Sequence, residues 1–201
     1  MKNLKRISLF FGAAMLLCGT LQSRADTLFG GEEKEVVYFF SYHCVACYES
    51  STYVRAWSSL FPDQRVRRVP VFSGEQWRSG ARLFFLLELS KKKYPLTDFD
   101  REKAAYALVG QWEKPPVTAT DYMDMLRAYG MQFSASEFAS WWNASSVLMK
   151  DAEDILQVAR LESQNMNVPF VRVSSEIENQ PVYIDFSNPE AAVPALNGAL
   201  K

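Results

Sequence analysis

Apolar residues fall along this chain in two rhythms, and the switches between them outline its elements. Glu35-Val36-Val37-Tyr38-Phe39-Phe40 is a run of apolar and β-forming residues that predicts a buried strand. From Cys44 onward Cys47, Thr52, Val54, Trp57, Leu60 and Phe61 recur near helical spacing, and Pro62-Asp63 stops them. Val66 to Phe72 reads as a second strand ended by Ser73-Gly74. Four stretches then carry apolar residues at helical spacing: Trp77 to Lys92, Phe99 to Trp112, Ala119 to Tyr129 and Ser134 to Ser163. Tyr94-Pro95, Lys114-Pro115-Pro116 and Gly130 break them apart. Thr120 and Ser134 read as N-caps, and Glu137, three residues beyond Ser134, completes a capping-box pattern. Strand patterns return at Phe170 to Val173 and Val182 to Phe186, and a last helix runs from about Pro189 to Leu200. The chain carries no internal repeat, low-complexity tract or flexible linker.

The first 25 residues follow neither rhythm. Lys2, Lys5 and Arg6 precede the apolar run Ile7 to Leu17, and Ser23-Arg24-Ala25 places small residues at the −3 and −1 positions of a cleavage site before Asp26. This is the pattern of a secretory signal peptide. The run holds Gly12 and Gly19 and falls short of the ~20 apolar residues a spanning helix needs. Leu17 before Cys18 is too bulky for a lipoprotein cleavage site. Removal of the segment takes away four bases and no acids, which moves the formal net charge from −1 to −5.

Composition narrows the chemistry further. With 201 residues and 48% hydrophobic content, the chain has ample material for a packed core. Lys and Arg number 22 against 23 Asp and Glu, so the basic surplus a nucleic acid partner demands is missing. Three Cys and one His supply at most a single four-ligand zinc site, and only if all are used. No metal is expected. Lys91-Lys92-Lys93 reads as a solvated helix end, and the acids Asp151, Glu153 and Asp154 lack any base or metal beside them. Trp141, Trp142, Met149 and Met166 could line a groove, but at helical spacing such residues usually form core.

Cleavage would leave Cys44 and Cys47 as the only thiols, in Ser41-Tyr42-His43-Cys44-Val45-Ala46-Cys47-Tyr48. A bridge closing two intervening residues removes little unfolded-state entropy, so stapling is a poor use for it. Haem attachment requires His where Tyr48 stands, and zinc needs further ligands. A redox dithiol is left. The pair follows a buried strand and opens a helix, where unpaired N–H groups and the positive end of the dipole stabilise a thiolate. Cys44 is thus the expected nucleophile, and Cys47, one turn inward, the resolving thiol.

The order of strand, Cys-x-x-Cys helix, strand, helical insert, two strands and helix is that of an α/β thioredoxin fold with an inserted all-helical domain. The sequence resembles the DsbA family of periplasmic thiol-disulfide oxidoreductases over nearly all of residues 26–201. The resemblance is carried by Phe39-Phe40-Ser41, the Cys pair with Tyr48 after it, Trp141-Trp142, and Asn167-Val168-Pro169 opening the third strand. It implies a thioredoxin-like domain from 26–74 and 167–201, an insertion from 75–166, and a periplasmic monomer without bound cofactor. It also implies that Pro169 is cis beside the dithiol, leaving the Val168 backbone to pair with an extended substrate. The implied partners are exported proteins with thiols and a membrane quinone-linked protein that reoxidises the pair.

Three residues depart from the family pattern. Val45-Ala46 stand where the commonest dipeptide is Pro-His, so the His donor to the Cys44 sulfur is missing. Tyr38 aligns with a buried acid of the first strand. His43, just before Cys44, either contributes charge or is a solvated side chain, and Ser41 and Tyr42 are candidate hydrogen-bond donors near the pair. The expected activity is disulfide transfer to exported proteins. The alternatives are an isomerase or reductase of the same fold, or a non-catalytic thioredoxin-fold binding module or chaperone.

Overall fold

The computed structural model describes residues 35–95, 98–162, 167–174 and 181–200. The expected signal peptide, Cys18 and Met166 lie outside the described residues. Four strands, β1 (Val36–Phe40), β2 (Val66–Pro70), β3 (Phe170–Val173) and β4 (Val182–Asp185), form one mixed sheet in the order β2-β1-β3-β4. Strand β1 runs parallel to β2 and antiparallel to β3, and β3 runs antiparallel to β4. All five residues of β1 are buried. A strand covered on both faces needs a continuous apolar run rather than alternation, as Val36 to Phe40 provide.

Six helices are described: α1 (Val45–Leu60), α2 (Glu75–Leu89), α3 (Asp98–Gly110), α4 (Ala119–Ala128), α5 (Ala135–Glu162) and α6 (Pro189–Ala199). Helices α2 to α5 fall between β2 and β3 in the chain, and α2 packs along α5. Their interior is aromatic. Phe138 stacks on Phe133 and Trp142, Trp141 meets Phe133 edge-on, and the Arg82 guanidinium lies 4.4 Å from the Trp142 ring. Met149 is buried, so these residues serve as core. Helix α6 packs on β4 and on α1, to which Asn197 is joined by a 2.8 Å hydrogen bond from Trp57 Nε1.

The helix ends refine the sequence reading. Ser134 and Glu137 form the expected capping box, the Glu137 N–H donating to Ser134 Oγ and the Ser134 N–H to the Glu137 carboxylate. The cap of α4 is Thr118, not Thr120: Thr118 Oγ1 accepts from the Asp121 N–H and Asp121 Oδ2 from the Thr118 N–H. Asp121 decides the position, because the box needs an acid three residues after the cap and Thr120 is followed at that spacing by Met123. Gly74, with φ +86°, supplies the left-handed backbone that leads into α2. Lys91 and Lys93 pair with Glu88 and Glu137 at the end of that helix and its following turn. No described helix is long and apolar enough to cross a membrane.

Register sets the site. Phe39 of β1 lies opposite Phe170 of β3, and Phe40 beside Pro70 of β2. Antiparallel pairing therefore brings the turn after Phe40 and the segment before Phe170 to the same end of the sheet.

Candidate active site

The turn 41–44 leaves β1 and enters α1 through two contacts at Ser41, whose carbonyl accepts from the Cys44 N–H and whose Oγ accepts from the His43 N–H. Cys44 is the N-cap of α1, with φ −111° and ψ 112°, and its Sγ accepts from the Cys47 N–H at 3.1 Å. The cap is thus filled by a sulfur where oxygen is usual, and the first-turn N–H of Cys47 is shared between that sulfur and the Cys44 carbonyl. Cys44 and Cys47 form a disulfide with Cα atoms 5.2 Å apart. Their surroundings are unequal: Cys47 is 0% exposed, Cys44 is half-buried, and Val45 between them is 78% exposed.

Val168 and Pro169 complete this end of the sheet. Their peptide bond is cis, and the Val168 carbonyl oxygen lies 3.7 Å from Cys44 Sγ. Pro169 is buried while Val168 is partly open. The partly open Val168 backbone therefore borders Cys44.

His43 is held by packing. Its ring packs against α2, where a Cβ on Gly80 would come within 3.3 Å of Cδ2, and sits 5.7 Å from the Trp112 ring. No hydrogen bond joins its side chain to either sulfur among the described residues, and Nε2 is buried without a partner there. Burial lowers its pKa below the ordinary 6.5, opposed in part by the Gln76 backbone. The ring is therefore half-buried packing rather than a solvated side chain.

Beneath the dithiol, Tyr38 is wholly buried and donates its hydroxyl to the Cys47 carbonyl at 3.1 Å. Nearby lies a buried carboxylate that the sequence reading missed. Glu102, on α3, is 2% exposed and pairs with Arg55 of α1 and Arg68 of β2. The Arg68 guanidinium also lies 4.5 Å from the ring of Phe40, the last residue of β1. Two signals pointed to this cluster. Glu102 shares the apolar stripe of Ala105 and Val109, and Arg68 interrupts a strand. An acid and a base in such places each need a buried partner.

A cleft of about 610 Å³ is lined in part by Cys44. Tyr42, Val45 and Tyr48 of the dithiol turn form one wall, and Lys103, Tyr106 and Trp112 the other. Tyr106 bridges the two walls, its ring edge-on to Tyr42 and Tyr48 at 4.9 Å each. Among the described residues, no group of three His, Cys, Asp or Glu side chains is placed to hold a metal ion.

No family model matches the sequence, and no curated protein does. Solved structures match over most of their length. Pseudomonas aeruginosa DsbA is 23% identical, covers 84% of this chain and 82% of its own, and superposes with a TM-score of 0.62. The oxidoreductase DsbA from Xylella fastidiosa is 20% identical, with coverage of 83% and 85% and a TM-score of 0.52. The oxidoreductase NmDsbA1 from N. meningitidis is 16% identical, with coverage of 84% and 83% and a TM-score of 0.51. At these identities the likeness is one of architecture: the chain has the DsbA-like thioredoxin fold, a mixed four-stranded sheet interrupted by a helical insertion.

Proposed function

We propose that this protein is a thiol-disulfide oxidoreductase that passes its Cys44–Cys47 disulfide to exported proteins. The observation that carries the reading is the inequality of the two sulfurs, one half-open at a helix N-terminus and one sealed beneath it. A substrate thiolate attacks Cys44 Sγ; the new S–S bond forms as the Cys44–Cys47 bond breaks, and the electron pair leaves on Cys47. A second substrate thiolate then attacks the substrate sulfur of this mixed disulfide and releases Cys44 as a thiolate. The substrate gains one disulfide and the protein is left as the dithiol, two electrons richer. The Cys47 N–H already directed at Cys44 Sγ, together with the positive end of α1, stabilises the departing thiolate.

In this reading Val168 supplies backbone for an extended substrate segment and Pro169 supports it, while Val45 and Ala46 set the thiolate environment by what they lack. Residues 26–74 and 167–201 act as the redox unit and 75–166 as its cover. The protein works as a periplasmic monomer, and a membrane quinone-linked partner reoxidises it. A reductase or isomerase of the same fold is the second reading. It is favoured by Ala46, which offers no side-chain donor to Cys44.

Alkylation tests the carrying observation. Reduced protein titrated with iodoacetamide is expected to react at Cys44 well below the ordinary thiol pKa of ~8.5, with Cys47 protected. Equal reactivity of both thiols near that value would overturn the proposal and leave a binding module. Oxidation of a reduced two-thiol peptide by stoichiometric disulfide-form protein, lost in Cys44→Ser, is the direct assay.

A further inference from the structure

The cleft beside Cys44 differs from the rest of the site in having one charge and no acid. Its lining is aromatic and aliphatic apart from Gln76, His43 and Lys103, and burial keeps His43 neutral at pH 7. Lys103 is exposed and forms no ion pair among the described residues, although Asp100 stands one turn before it on α3. Ala107 and Gly110 continue its stripe at i+4 and i+7, and a Cβ on Gly110 would meet nothing within 4 Å. The floor is therefore low, and the flexible Lys103 stem can lie along it with its ammonium at the rim.

We propose that this cleft holds an acidic residue flanking the reacting cysteine of a polypeptide substrate, its carboxylate paired with Lys103 and its methylenes against Tyr48 and Trp112. The inference rests on the oxidoreductase reading above and specifies the substrate for it. Three observations support this occupant. Cys44 itself lines the cleft, so residues flanking the sulfur it reacts with are delivered to the cleft. Its one unpaired charge is positive, and its volume exceeds a single side chain, leaving room for the backbone that carries it. The Val168 carbonyl also lies 3.7 Å from Cys44 Sγ, so a segment joined to that sulfur can meet both the backbone before β3 and the cleft.

The test uses three reduced two-cysteine peptides that differ at one residue near the first cysteine, Glu, Gln or Lys. Each is mixed with the disulfide form of the full protein in single turnover, and rate constants are read by chromatography of the oxidised peptide. The Glu peptide is expected to outpace the Gln peptide about two- to five-fold, the range of an exposed ion pair. The Lys peptide is expected to be slowest. Lys103→Met is expected to bring the Glu-to-Gln ratio to near one, and Lys103→Glu to reverse the order of the Glu and Lys peptides. Lys103 is exposed, so both variants keep the fold. Equal rates for all three peptides, or a preference that survives Lys103→Met, would overturn the subsite alone. No oxidation of any peptide would overturn the oxidoreductase reading with it.

Discussion

The Tyr38 hydroxyl donates to the carbonyl of Cys47 at 3.1 Å, from a ring with no exposed surface. This is the first-strand position at which the resemblance implies a buried acid. A phenol there cannot perform an acid's work, because burial pushes its pKa far above the ordinary 10 and it remains a neutral donor. Tyr38→Phe is expected to lower stability by about 1 kcal/mol, the net value of one neutral hydrogen bond. The pH profile of Cys44 alkylation is expected to keep its midpoint. A midpoint that moves by a full unit would show that Tyr38 takes part in proton movement.

Glu102 ties α3 to both α1 and β2 through two guanidinium groups. Glu102→Ala removes from the interior the carboxylate that Arg68 and Arg55 share. We expect a loss of about 3–5 kcal/mol by urea unfolding. Arg55 is more open than Glu102, and Arg55→Ala is expected to cost about 1 kcal/mol. Equal losses would show that the network acts through Arg55 rather than through the buried acid.

His43 carries a pH prediction. Its folded pKa is lowered by burial, so below 6.5 the unfolded chain binds a proton that the folded chain accepts only at lower pH. Stability from this group is complete above 6.5 and is lost as pH falls through that value toward the folded pKa. The urea midpoint is expected to drop between pH 7.5 and 5.5, and to drop less in His43→Gln. Identical drops in the two proteins would remove His43 as the cause.

The fourth prediction concerns the potential of the dithiol. The one hydrogen bond described to Cys44 Sγ comes from the Cys47 backbone, and Ala46 adds none. Less thiolate stabilisation makes a disulfide harder to reduce, so the potential is expected below the roughly −120 mV of the strongest oxidants of this kind. Ala46→His is expected to raise it by at least ~30 mV, about tenfold in the equilibrium with glutathione. A wild-type value already at the oxidising extreme, unmoved by the substitution, would assign the stabilisation to the backbone alone. It would also remove the argument for a reductase.

The strands were readable because buried β-runs such as Val36 to Phe40 break the helical rhythm so sharply, and α1 because Pro62 ends what Cys44 begins. The cap of α4 was misplaced by two residues, since Thr118 and Thr120 are alike until Asp121 is counted. The cleft was invisible for a different reason. Tyr42, Tyr48, Lys103 and Trp112 come from segments whose approach depends on how α3 is set against α1, and Glu102 decides that from within the charged run Asp100-Arg101-Glu102-Lys103. In such a run a buried carboxylate looks like one more solvated side chain.

The central place of β1 has a consequence for measurement. Cys47 lies in the first turn of α1, against a strand flanked by two others and buried along its whole length. In the reduced protein its sulfur is reached by solvent reagents only when that turn lifts away from β1. A Cys44→Ser variant lacking residues 1–25 would then carry one silent thiol whose slow labelling counts openings of this end of α1 under native conditions, with no denaturant at all.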